Sequence, residues 1–365
     1  MTSDVVAAPA VISAEERDAL AEAIRDLVRR KGDSAAARTA MGQTPRIDRS
    51  LWTTLCTEIG VAALPIPEDL GGAGATFAET AAVLEELGTA VTPVPVFATA
   101  LATAALLLAD DPDTAGYLSD IAAGERIATV CWAGTSGWDR PGVHADAGLL
   151  SGTAEYVVDG ESADLLVVLA ASGDTITLHV TEVTADGITV TPLPVMDPSR
   201  PLARIEFDDT PALSIASGAD LPRRLRSYAW ALLAAEQVGG AAAALELTVE
   251  YTKSRKQFGR IIGSFQALKH RMADMYMLVE TSRSIARAAI TALVTDAANA
   301  DDLAAAAHVY CSESFASVAG EAIQLHGGIG ITAEHDIGLY FKRAHGSSQL
   351  FGQPHDVVAE LSAKR

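Results

Sequence analysis

Apolar positions in the first third of the chain recur at helical spacing. After Ser13-Ala14-Glu15-Glu16, a sequence suited to capping a helix start, Leu20, Ala23, Ile24 and Leu27 fall on one face. A further helix is predicted over 51–59, ended by Gly60, and Pro65-Ile66-Pro67 with Gly71-Gly72 marks a turn beyond it. Helices over 76–87 and 95–109 follow. From about residue 126 the period changes. Short β-branched runs at 127–130, 154–158, 165–169, 176–180, 187–190 and 203–207 are separated by Gly, Asp and Pro, which predicts a small antiparallel sandwich or barrel. Helical stripes return at 221–251, 266–297, 303–325 and 355–363, with a break at 299–302. The pattern therefore predicts an α+β chain in three parts: an N-terminal helical domain (1–124), a middle β domain (125–215) and a C-terminal four-helix bundle (216–365).

Composition narrows the chemistry more than the fold. The 365 residues carry 27 Lys and Arg against 47 Asp and Glu, a formal net charge of −20. Such a chain lacks the basic face that general nucleic-acid binding requires. Cys56, Cys131 and Cys311 are scattered and form no CxxC or Cys/His cluster, so neither a disulfide framework nor a zinc site is expected. The polar, acidic N-terminus shows no signal peptide, and the apolar run near 96–109 is too short to span a bilayer. A cytoplasmic location without membrane attachment is the expectation.

Two motifs carry candidate chemistry. Gln324-Leu325-His326-Gly327-Gly328-Ile329-Gly330 is a glycine-rich turn after an apolar helix, and Arg255-Lys256-Gln257-Phe258-Gly259 closes the basic end of another. Glycine lets a backbone approach a ligand closely and leaves its N–H groups free for phosphate oxygens. An arginine grips a diphosphate through two hydrogen bonds. Lys253, Arg255, Lys256, Arg260, Lys269, His270 and Arg271 cluster in this acidic chain. Alone, the cluster suits a solvated helix end as well as a ligand. The glycine turn in the same pattern tips the reading to a dinucleotide diphosphate or the phosphates of CoA.

Nearly the whole chain resembles the acyl-CoA dehydrogenase family. Leu51-Trp52 through Gly60, Pro67-Glu68-Asp69-Leu70-Gly71-Gly72-Ala73-Gly74 and Leu84-Glu85-Glu86-Leu87-Gly88 are similar to its structural signatures. Tyr251 through Arg260, with Ile262 and Phe265-Gln266, is similar to its Y-x-x-x-R-x-x-F-G segment. The resemblance implies FAD as cofactor. It also implies that Arg255, Phe258, Ile262, Phe265, Gln324, Gly327 and Gly328 hold the diphosphate and adenosine portion of a neighbouring subunit's FAD. An acyl-CoA substrate and an electron-transfer flavoprotein as electron acceptor follow from the same resemblance.

Two departures stand against that match. The family's middle-domain loop and strand hold the flavin ring through hydroxyls and an indole. Here the loop reads Cys131-Trp132-Ala133-Gly134-Thr135-Ser136-Gly137-Trp138-Asp139, and Tyr156 and Val158 occupy the tryptophan and threonine places. The family's catalytic glutamate falls on Phe351, and its alternative site falls near Ala229. Neither side chain abstracts a proton. Glu236, about two helical turns beyond Ala229, is the candidate displaced base, set against a structural role in a packed helix. Glu334 is expected to be architectural, as are His326, His335 and His345.

The resemblance thus implies an acyl-CoA dehydrogenase subunit that completes an FAD half-site for a homologous, base-bearing partner in an α2β2 assembly. The expected reaction is α,β-dehydrogenation of a CoA thioester in lipid or steroid side-chain breakdown. Two alternatives stay open: a self-sufficient homomer using Glu236, and a flavin-free structural relic of the fold.

Overall fold

A computed structural model describes residues 14–218 and 220–363. The capping serine expected at Ser13 lies outside them. Six α-helices open the described residues: α1 (Ala14–Lys31), α2 (Ser34–Met41), α3 (Arg49–Thr54), α4 (Phe77–Gly88), α5 (Val96–Ala109) and α6 (Ala115–Ala122). α3 continues as a π-helical turn to Ile59, where Gly60 adopts φ 78° and ends it. Thr76 and Glu79 form a capping box at the start of α4, the carboxylate accepting the Thr76 N–H at 2.7 Å. α5 is apolar on every side and is buried accordingly, Phe97, Leu101 and Leu106 among its core residues.

Ten strands follow: β1 (Ala128–Cys131), β2 (Ala133–Gly134), β3 (Gly137–Pro141), β4 (Val143–Asp146), β5 (Leu149–Val158), β6 (Leu165–Ser172), β7 (Thr175–Glu182), β8 (Ile188–Pro192), β9 (Leu202–Pro211) and β10 (Leu213–Ser217). Eight of them form one sheet in the order β10-β7-β6-β4-β5-β9-β8, with β1 also beside β6, while β2 and β3 pair separately. The expected antiparallel arrangement needs correction, because β1 and β4 both run parallel to β6. The reason is visible in β6, an unbroken apolar run. Leu165, Val167 and Leu169 face the core shared with the helices. Leu166, Val168 and Ala170 face a second core with Val143, Ala154, Ile205 and Phe207. A strand buried on both faces suits the centre of a mixed sheet.

The C-terminal part comprises α7 (Leu221–Ser254), α8 (Gln266–Val294), α9 (Ala300–His326), α10 (Ile337–Ser347) and α11 (Pro354–Ala363). α10, absent from the sequence reading, packs on α7 and α9, whereas α11 lies on α9. The expected four-helix bundle is therefore three long helices completed by two short ones. α7 is long and apolar enough to cross a membrane, but 78% of its most apolar window is buried inside the protein. Its glycines are contact points. A Cβ at Gly239 would stand 1.8 Å from the Glu85 carbonyl oxygen, and one at Gly88 2.2 Å from that of Glu236. α4 and α7 thus meet backbone to backbone, which fixes the N-terminal helices on the bundle.

Candidate functional site

Both motif segments lie at one end of the bundle. Arg255 leaves α7 in an extended conformation, its N–H donating to Tyr251 at 2.9 Å. A short hairpin follows, β11 (Lys256–Gln257) and β12 (Arg260–Ile261), turning at Phe258 and Gly259 with φ of 51° and 76°. The Ile262 N–H returns to the Arg255 carbonyl at 2.8 Å. Phe258 meets Phe265 edge-on at 6.2 Å, and the Arg260 guanidinium lies 3.8 Å from the Phe265 ring centre. Arg255, Phe258, Ile262 and Phe265 are therefore held in one small unit. Phe258 is nonetheless 91% exposed.

The glycine turn is joined to this unit through the helix ends. Tyr251 of α7 stacks on His326 of α9 at 4.5 Å, and His335 closes on His326 at the same distance. Gln324, Gly327 and Gly328 are exposed beyond that stack. Gly327 has φ 63°, which favours glycine. Gly328 has no such backbone, and a Cβ there would meet nothing of this chain within 4 Å. Close approach of a group from outside the chain is a physical reason for a glycine at that position. The Arg255 side chain makes no ion pair among the described residues, although most arginines here do. An unpaired guanidinium, open glycine backbone and exposed aromatic side chain fit the diphosphate and adenine of a dinucleotide.

The second feature is a cavity of about 870 Å³ between the β domain and the C-terminal helices. The loop Thr135–Asp139, Tyr156, the segment leading into β9, and the turn at Gly352 form its walls. Phe351, at the position where the resemblance would place a base, is 3% exposed with φ 61°. Its ring packs on Trp138 at 4.5 Å, Phe97 at 5.9 Å and Trp132 at 6.2 Å. The Trp230 indole N–H donates to the Phe351 carbonyl at 3.1 Å. His308 donates to the Gly352 carbonyl at 2.8 Å, and burial lowers its pKa to about 4, keeping it the neutral donor. Tyr156 sits in an irregularity of the β5–β9 register with φ 54° and is 45% exposed. Val158 and Ala229 are both buried apolar residues. A flavin ring finds neither the threonine hydroxyl nor the glutamate of the family in these places.

Glu236 is the third feature. Its carboxylate is 7% exposed and is shared between two cations, Arg200 on one oxygen and Arg343 at 2.7 Å on the other. Arg343 is fully used: Nε donates to Asp197 at 2.7 Å, one terminal nitrogen to Glu236, and the other to Ser199. From the N-terminal part, Phe97 of α5 lies under the Arg200 guanidinium, 5.2 Å from its ring centre. The reading of Glu236 as a free displaced base gives way to a structural one, since both carboxylate oxygens are already engaged by buried guanidinium groups. This network unites all three parts of the chain. Sequence reading missed Asp197, Arg200 and Arg343. The available signal was Arg343 itself, which falls in register with the apolar residues Leu339 and Tyr340 of α10.

Asp159 lies in the same cluster, 3% exposed, and burial raises its pKa to about 7 despite the opposing Arg200 and Arg343. The native pKa is thus above the reference value of 3.8. The stability this group contributes is complete below about pH 4 and is lost as pH rises through about 7. Asp159→Asn should therefore differ little from the parent at pH 4.5 and be the more stable of the two at pH 8, by up to about 4 kcal/mol, the linkage between 3.8 and about 7. Equal stability gaps at the two pH values would show that burial of Asp159 does not set this pH dependence.

Residues 14–125 match the acyl-CoA dehydrogenase N-terminal domain and residues 227–358 the acyl-CoA dehydrogenase C-terminal domain. The chain is similar to the acyl-CoA dehydrogenase IpdE2 of Mycobacterium tuberculosis, 44% identical over 96% of this chain and 97% of the relative. It is also similar to the acyl-CoA dehydrogenase FadE34 of that organism, 33% identical over 93% of this chain and 46% of the relative. Among solved structures, a chain of the ChsE4-ChsE5 complex from Mycobacterium tuberculosis is similar with a TM-score of 0.89. That match has 27% identity and covers 97% of this chain and 98% of the other.

Proposed function

The chain belongs to the acyl-CoA dehydrogenase family, and we propose that it is the subunit without a catalytic base in a hetero-oligomeric flavoenzyme. The family consists of FAD-dependent oxidoreductases acting on CH–CH bonds. In the proposed α2β2 assembly, Arg255 and the glycine backbone at 327–328 hold the diphosphate of an FAD housed mainly in the partner. Phe258, Ile262, Phe265 and Gln324 hold its adenosine. When bound, FAD supplies the two-electron acceptor for α,β-dehydrogenation of a CoA thioester. The partner supplies the carboxylate that takes the α-proton. Electrons leave to an electron-transfer flavoprotein, and the complex works in the cytoplasm on lipid or steroid side chains.

One observation carries this reading. The Phe351 ring is buried among Trp138, Trp132 and Phe97 where a base would stand, while Arg255 is unpaired at the opposite, surface half-site. Two comparisons support it. ChsE4-ChsE5 is a complex of two named components. FadE34 matches this chain over less than half of its own length, which leaves room in it for a second module of the same size.

Purification alone and with a co-expressed homologue bearing the family glutamate tests the proposal. The chain alone should be colourless and inactive, and the co-purified complex should be yellow and should dehydrogenate an acyl-CoA. A yellow, active homomer overturns the proposal. A chain that gains no flavin with any such partner supports the structural relic instead.

A further inference from the structure

The interdomain cavity is not used by the reading above, and its chemistry does not suit a dinucleotide. Four carboxylates line it, Asp139, Asp197, Asp356 and Glu360, against the single guanidinium of Arg200. Arg200 is already committed to Glu236, and Asp197 to Arg343. Glu360 pairs with Arg226, but among the described residues Asp139 makes no ion pair and Asp356 meets only His355, at 3.3 Å. A diphosphate entering here would face uncompensated negative charge with no free cation. The rest of the wall carries no charge: Thr135, Ser136, Gln349 and Gln353 are neutral polar groups, and Trp138, Tyr156, Leu193, Val195 and Met196 supply its apolar surface.

The backbone is strained at Tyr156 in the wall and at Phe351, whose ring packs behind the wall residue Trp138. Tyr156 and Phe351 both hold positive φ, at 54° and 61°. For bulky side chains this conformation is unfavourable and persists where surrounding contacts over-determine it. For Phe351 those contacts are visible: Trp230 and His308 fix the carbonyls of residues 351 and 352, and Trp138 covers the ring. Tyr156 has no comparable packing and is half exposed to the cavity side. A volume of about 870 Å³ lies within the range of small-molecule pockets.

We infer that this cavity is a binding site of its own, for a neutral, ring-bearing apolar ligand that lies against Trp138 and Tyr156, rather than a second flavin site. The inference rests on the proposed placement of FAD in the partner chain. Charge excludes anionic ligands, and the aromatic walls supply contact to a flat ring system. The occupied site performs no redox step on this chain, since Phe351 carries no base.

The test uses Nile red as a neutral planar probe and anilinonaphthalene sulfonate as an anionic one, with the full chain alone and in the co-purified complex. Nile red should bind saturably at one site per chain, and the sulfonate about tenfold more weakly. Tyr156→Ala, at a half-exposed position that leaves the fold intact, should weaken Nile red about tenfold. Asp139→Lys should raise sulfonate affinity while leaving Nile red within about twofold. Binding unchanged by Tyr156→Ala, or no preference between the probes, overturns the inference. Displacement of Nile red by FAD on the isolated chain overturns both this inference and the subunit assignment. Probe binding with these selectivities in a chain that never gains flavin with a partner sinks the assignment but leaves the site standing.

Discussion

Arg343→Met is expected to destabilise the fold by about 3–5 kcal/mol, the largest single-residue effect predicted here. The side chain is 4% exposed, and all three guanidinium nitrogens are engaged. Methionine fills much of the volume but leaves Asp197 without its ion-pair partner and Glu236 with Arg200 alone. Asp159, pushed towards neutrality by burial, would be pushed further as a neighbouring cation disappears. Urea unfolding should show a lower midpoint with little change in slope. The double variant Arg343→Met/Asp197→Asn should recover part of the loss, because it removes one of the stranded charges. A single variant within about 0.5 kcal/mol of the parent would show that the ion cluster does not hold the three parts together.

That cluster marks the boundary of what the sequence conveyed. Helices with a continuous apolar stripe or a sharp stop were legible: α4 with its Thr76–Glu79 cap, α5 with no polar face, and α3 with Gly60 behind it. α10 was not, because Gly338, Lys342, Arg343 and Gly346 interrupt its pattern. Arg343 occupies a core-facing position on charge pairing rather than hydrophobicity, and its partners are 107 and 146 residues away. Periodicity cannot register such a partner. The same limit applies in the β domain. The β-branched runs gave strand positions but not direction, since the parallel pairing of β6 with β1 and β4 depends on the order in which strands return to the sheet.

The motif segments behaved differently. Arg255, Phe258, Ile262 and Phe265 lie within eleven residues, and local hydrogen bonds bind them together. Gln324 lies in the last turn of α9 and Gly327 caps it. Short spacing made these units readable without tertiary knowledge. What joins them, the Tyr251–His326 stack, is a long-range contact between helix ends and left no sequence signal. Glu236 shows the converse. Its helical phase relative to Ala229 was right for a shared face, yet its partners, Arg200 and Arg343, come from elsewhere in the fold.

Arg255→Ala, in the co-purified complex, is expected to weaken FAD binding by about 10- to 100-fold while leaving the melting temperature of the flavin-free protein unchanged. A charge-assisted contact to a phosphate contributes about 1.5–3 kcal/mol, which converts to that range. Stability should not move, because the side chain is exposed and makes no ion pair within the described chain. Arg255→Lys separates shape from charge. Lysine keeps the positive charge but loses the planar fork, so its affinity should fall between those of the parent and the alanine variant. The difference between parent and alanine should also narrow as salt rises, since part of the contact is screened Coulomb attraction. Flavin-to-protein ratio after gel filtration and fluorescence titration of the apo-complex measure these quantities. Unchanged affinity in Arg255→Ala would remove the half-site from this end of the bundle. A fall in affinity matched by an equal fall in the melting temperature of the flavin-free protein would assign Arg255 to folding rather than to the cofactor.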